Sequence, residues 1–186
     1  MTHNIEAYCA KATTRMADAI APTGIELCAK HPRRRSRTAK NVEGARRDAE
    51  GVDDGAVAFQ KGLGACHALA LTRSVRKEWL ACTTASRTRF ACRGARLQLH
   101  CGAEGIARIA RILGVKGNDI DTLAFECSGA VRALRKQVGL PNGLAEAGVT
   151  DEQLPVPRSA QADYVHGPNP RPCTQDDARA FHRASM

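Results

Sequence analysis

One stretch constrains the fold more than any other: Gly55-Ala56-Val57-Ala58-Phe59-Gln60-Lys61-Gly62-Leu63-Gly64-Ala65-Cys66-His67-Ala68-Leu69-Ala70. It is small and apolar throughout, and its glycines and alanines let two backbones approach closely. Side chains of this kind suit packed helices, whereas a β-sandwich draws on aromatic and β-branched residues. Composition points the same way. Hydrophobic residues make up 43% of the chain but aromatics only 4%, and Ala, Leu, Val and Ile supply most of the apolar surface. At 186 residues the chain can bury one domain-sized core.

Thr2 to Ala21 reads as a helix, with Ile5, Tyr8, Cys9 and Met16 near one face, interrupted by Pro22 and Gly24. The character changes from His31 to Asp54, where Arg33-Arg34-Arg35-Ser36-Arg37 precedes charged sequence without an apolar period. A second such tract runs from Leu71 to Cys101; it is rich in Thr, Ser and Arg and holds the only Trp, Trp79. Residues 31–54 and 71–101 are therefore expected to be irregular or disordered. Regularity returns with the stripe Ile106, Ile109, Ile112 and Leu113, which ends near Gly114. A second stripe, Val131, Leu134 and Val138, is stopped by Gly139 and Pro141. Thr150 with Gln153 resembles a capping box, and Thr174 with Asp177 opens a last helix. The reading is an all-α fold, a single helical domain over 1–186.

Several functional classes are weakened by the same residues. No run approaches the ~18 apolar residues of a membrane span, and Met1 to Ala21 has no secretory apolar core. The eight cysteines form no C-x-x-C pair and read as reduced thiols of a cytoplasmic protein. Lys61-Gly62-Leu63-Gly64 has no leading strand and no following G-K-[ST], so it is not a phosphate loop. Cys66 and His67 are neighbours that point about 100° apart on a helix, which does not make a nucleophile and its base. No catalytic residue is assigned. Asn169-Pro170-Arg171-Pro172 reads as a stiff extended connector. The net charge of +9 raises one rival, a basic nucleic-acid-binding protein using the Arg-rich tracts, although neither a binding motif nor stacking aromatics accompany them. Another is a catalytically dead helical module that pairs with a partner chain or with a second copy.

Three segments in order favour a different reading. Thr2-His3-Asn4-Ile5-Glu6-Ala7-Tyr8 resembles the D-A-x-T-H-x-I-E-A-Y segment of iron-containing alcohol dehydrogenases. Gly55 to Ala70 is similar to that family's G-A-V-A-F-Q-K-G-L-G-x-x-H-A-x-A segment over its whole length. In the tail, Ala130 to Thr150 and Asn169-Pro170-Arg171-Pro172 follow in the family's order. The resemblance implies the multi-helical C-terminal domain of the dehydroquinate synthase-like fold. It also implies a preceding α/β domain for NAD or NADP, and Fe(2+), or Zn, bound by one Asp and three His. The metal would polarise the oxygen of a small alcohol while hydride passes to the nicotinamide. By motif position, His3 and His67 match two metal ligands. The Asp ligand, four residues before His3, and the cofactor domain would both precede Met1 and are missing from these residues. The fourth ligand should follow His67, yet no His occurs between His67 and His100. The expectation is an inactive or incomplete portion of the enzyme.

The genetic code gives the irregular tracts a common origin. Read one base earlier, Thr72 to Glu78 is compatible with His-Pro-Leu-Gly-Ala-Glu-Arg. Ala81 to Arg93 is compatible with Gly-Leu-His-His-Gly-Leu-Ala-Asn-Ala-Leu-Cys-Leu-Pro, and Ser36 to Lys40 with Val-Ala-Asp-Gly-Lys. Read one base later, Glu43 to Asp54 allows Lys-Ala-Arg-Ala-Glu-Met-Leu-Lys-Ala-Ser-Met-Met. Compensating frameshifts would make the Arg-rich tracts by-products of frame rather than an evolved phosphate-binding surface.

Overall fold

In the computed structural model the described residues are 1–12, 14–31, 42–62 and 103–139. Shorter pieces are 145–146, 150, 167–169, 172, 174, 176–177, 179–180 and 183. All regular structure among them is helical: α1 (Thr2–Cys9), α2 (Arg15–Lys30), α3 (Val42–Ala58), a 3-10 turn (Phe59–Lys61), α4 (Ala103–Ile112) and α5 (Ile120–Gln137). The expected all-α fold is what is observed. The tract 71–101, both Arg-rich tracts, and the Thr150–Gln153 box beyond Thr150 itself lie outside the described residues.

The first helical segment breaks earlier than Pro22. Ala10 leaves α1 in an extended conformation, and the Lys11 N–H donates to the Pro168 carbonyl at 2.9 Å. Pro22 lies buried inside α2 instead of ending it. A proline there deprives only the Asp18 carbonyl of its helical donor and crowds it. The buried series Ala17, Ala21, Pro22, Gly24, Ile25 and Cys28, with its 3.6-residue period, outweighs that local cost. Met16 is 63% exposed and does not share the inner face of Ile5.

Residues 42–54, expected to be irregular, belong to α3. The buried positions of α3 are Gly44, Gly51, Gly55 and Ala58, spaced as one helical stripe that carries almost no side chain. A hydrophobic period cannot register in glycine, so the packed face was invisible in the sequence. On the outside, Glu43 pairs with Arg46 and Arg47, and Arg46 also pairs with Glu50, at helical i+3 and i+4 spacings. The guanidinium hydrogen bonds of Arg46 and Arg47 hold the Glu43 carboxyl down at about 2.

The main core joins α1, α2, α4 and α5 through Ile5, Cys9, Ile25, Ile106, Ile109, Leu123, Cys127 and Val131. A smaller one joins Ala7, Ala17, Ala21 and Ala58, with Tyr8 touching both. The α4 stripe ends as its glycine predicts. Gly114 takes φ +91°, its N–H donates to the Arg111 carbonyl, and that of Val115 donates to Ala110, which is a Schellman closure. Gly139 ends α5 likewise with φ +70°. Thr174 and Asp177 form the expected reciprocal cap, with the Asp177 N–H donating to Thr174 Oγ1 at 3.1 Å and the Thr174 N–H to Asp177 Oδ2 at 2.9 Å. The three described cysteines, Cys9, Cys28 and Cys127, are buried and belong to no disulfide. No described helix is long and apolar enough to cross a membrane.

At the start of α5, Asp119 Oδ2 accepts the Thr122 N–H at 2.8 Å, satisfying an otherwise unpaired first-turn donor. The Thr122 hydrogen bonds hold the Asp119 carboxyl below its ordinary value. A carboxyl depressed by folding adds stability above its unfolded value of about 3.9 and loses it as pH falls through the folded one. Asp119→Ala is therefore expected to lower the melting midpoint at neutral pH. Melts of the two proteins in progressively stronger acid should converge, and a gap independent of pH would remove the cap from the account.

Candidate metal centre

His3 lies on α1, a short helix whose buried residues Asn4, Ile5, Glu6, Ala7 and Cys9 nearly encircle it. Such a helix cannot rotate without exposing apolar surface, so the direction of the His3 side chain is fixed by packing around it. Half-buried itself, the imidazole packs on the Phe59 ring, with centroids 5.3 Å apart and planes tilted by 32°. Gly55 leaves the room: a Cβ built there would stand 3.2 Å from the His3 Cβ and 3.1 Å from Asn4 Nδ2.

Asn4 crosses the interface on the neighbouring face. Its amide Nδ2 donates to the Gly51 carbonyl at 2.9 Å, bonding residues 47 apart in sequence. Among the described residues its Oδ1 has no hydrogen-bond partner, and it stands 2.6 Å from where a Cβ of Gly24 would be. Glycines on both sides, Gly24 in α2 and Gly55 in α3, create the slot that the Asn4 side chain fills. Lys61 closes the far end. Its side chain is 3% exposed, and Nζ donates to Asp18 Oδ1 at 2.6 Å and to the Tyr8 carbonyl at 3.4 Å. Gly62 then passes over Pro168, with no room for a Cβ. Beside Pro168, Asn169 is 2% exposed, so the expected connector begins against the helices.

The fold thus brings together the two segments singled out in the sequence, residues 2–8 and 55–61. Of the two candidate ligands, His3 is in place at this junction, and His67 lies outside the described residues. Among the described residues no three His, Cys, Asp or Glu side chains gather as a metal set. Of the described residues, this junction therefore brings one imidazole, that of His3, and no reaction step through a metal is derived from it. Packing on Phe59 alone would account for a half-buried imidazole. Sequence reading missed Asn4, Gly24 and the Asp18–Lys61 pair. An asparagine inside an apolar helix and a glycine at the 3.6-residue period of α2 were the available signals.

Residues 1–186 match the family model described as Fe-containing alcohol dehydrogenase family, C-terminal. The 4-hydroxybutyrate dehydrogenase of Cupriavidus necator is 27% identical, the alignment covering 100% of this chain and 49% of that protein. The NAD-dependent methanol dehydrogenase of Bacillus methanolicus is 28% identical, over 95% of this chain and 47% of that one. Among solved structures, a 1,3-propanediol oxidoreductase matches with a TM-score of 0.90 and 25% identity, covering 100% of this chain and 49% of its own. The chain spans about half the length of the curated relatives it matches.

Proposed function

The chain belongs to the iron-containing alcohol dehydrogenase family, and on that premise we propose that it is the metal-binding helical portion of an NAD(P)-linked enzyme interconverting a primary alcohol and its aldehyde. The observation that carries this reading is the junction of residues 2–8 with residues 55–61, which seats His3 against Phe59 and ties the two segments through the Lys61 Nζ bond to the Tyr8 carbonyl. Relatives named for 4-hydroxybutyrate, methanol and butanol support a small primary alcohol as the substrate class, and their names include both NAD and NADPH.

His3 and His67 are the proposed ligands of a divalent ion, Fe(2+) or Zn. Bound there, the ion would supply Lewis-acid polarisation of the alcohol oxygen. The chain's own part is positional. Phe59 and the buried faces of α1 fix the His3 ring, and the Lys61–Asp18 pair ties the start of the His67 segment to α2. A cytoplasmic location belongs to the same proposal.

Two imidazoles are fewer than a hydride-transfer metal site requires, and the stretch between His67 and His100 contains no further His. The purified protein supplied with Fe(2+), a short primary alcohol and NAD+ or NADP+ is expected to give no reduced nicotinamide above background. Sustained alcohol-dependent turnover would show that the ligand set is complete and this reading of it wrong.

A further inference from the structure

The faces of α3 are chemically inverted. Between 43 and 54 its buried or half-buried positions are Gly44, Asp48, Glu50, Gly51 and Asp54; Glu50 pairs outward with Arg46, which leaves two glycines and two carboxylates, and no apolar side chain, on the inner face. The helix's valines point the other way: Val42 is 73% exposed and Val52 50%. Asp48 and Asp54 both stand close enough to Cys28 of α2 to push its thiol up by their charge. Burial, and then the neighbouring Glu50 and Asp53, raise the Asp54 carboxyl. Carboxylates on the packed face and valines in water are the reverse of what stabilises an amphipathic helix.

We infer that residues 43–54 are encoded out of register with the frame that once built this helix, and that the frame one base later supplies its inner face. The positions that the fold buries decide this. In the later frame the codons of 44 and 51 become GNG, which allows alanine, and those of 48 and 54 allow methionine, so all four inner positions can be apolar. Position 50, whose side chain is 38% exposed, takes lysine. Outward, positions 43, 45, 47 and 52 take lysine, arginine, glutamate and serine, while 49 and 53 take leucine and methionine. The displaced stretch is still a helix for a separate reason. The literal frame happens to place Glu43, Arg46, Arg47 and Glu50 at pairing distances, and its glycines let α3 settle onto α2. Gly51 is so close that a Cβ there would meet Leu27 Cβ at 2.9 Å. In its original register α3 must have stood further from α2.

The inference fixes bases. A methionine codon arises in the later frame only where an aspartate codon GAT is followed by G, so Asp48, Asp53 and Asp54 must all be GAT. GAC at these places would give threonine. The return to register must fall where Asp54 meets Gly55, because ATG followed by an intact glycine codon needs one more G than GAT-GGN contains. Sequencing the gene through codons 40–56 is expected to find the three GAT codons, and restoring one G at that junction joins the two frames. GAC at codon 48, 53 or 54 overturns the inference. A protein-level measurement is independent of codons: the Asp48→Met/Asp54→Met double variant of the full chain should melt at a higher temperature than the parent. A lower midpoint would mean that the inner face is suited to its carboxylates, and would overturn the inference as well.

Discussion

Gly24→Ala is expected to destabilise the protein by about 2–3 kcal/mol, although alanine is the better helix former by about 1 kcal/mol. The added Cβ would lie 2.6 Å from both Nδ2 and Oδ1 of Asn4 and 2.8 Å from its Cγ. Asn4 is held where it stands: it is fully buried and its Nδ2 is bonded to the Gly51 carbonyl. Overpacking costs about 1–3 kcal/mol, and breaking the buried amide bond leaves a polar group unsatisfied for about 1–3 kcal/mol more. Part of that total is relieved by movement of α2 and by the gain in helix propensity. Because the clash is with one side chain, Asn4→Ala in the same chain should recover stability, making the double variant better than the sum of the two single changes. Denaturant melts of the four proteins measure this coupling, and strict additivity would place the helices further apart than described.

Ile109→Ala should cost about 3–4 kcal/mol, the range for deleting a large side chain from a core that cannot fully collapse. Ile109 is fully buried in the cluster where α4 meets Leu123, Cys127 and Val131 of α5, with Ile5 of α1 and Ile25 of α2 in the same core. That core joins helices more than a hundred residues apart in sequence, from Ile5 to Val131, so the loss should appear as one cooperative shift of the whole transition. Val42→Ala, at a position 73% exposed, serves as the control and should stay within about 0.5 kcal/mol of the parent. Equal effects at the two positions would mean that α4 does not occupy the core.

The sequence made α4 and the second half of α5 legible because large branched side chains sit at the helical period and a glycine follows each stripe. The start of α5 was not read, since the Asp119 cap is a single polar residue with no glutamate three residues on. The same logic fails for α3: its buried residues are Gly44, Gly51, Gly55 and Ala58, with Gly51 against α2 and Gly55 against α1, and contact made by backbone leaves no mark on a hydrophobic pattern. Pro22 misled for a related reason. Local propensity argues for a break, while the tertiary series from Ala17 to Cys28 overrides it. At the candidate site, His3 was identified through the motif around it; residue type alone carries no such information. The neighbours that hold it in place, Asn4, Gly24 and Phe59, became apparent only when α1, α2 and α3 were packed together.

The central claim is that His3 and His67 form one site. Titration of the full chain with Co(2+), a paramagnetic stand-in for Fe(2+), followed through the imidazole NMR resonances, tests it most directly. The chain has six histidines. The account predicts that the signals of His3 and His67 broaden together, ahead of His31, His100, His166 and His182, and that His3→Ala removes the early response of His67. Broadening of His67 that is unchanged by His3→Ala, or all six responding alike, would contradict it.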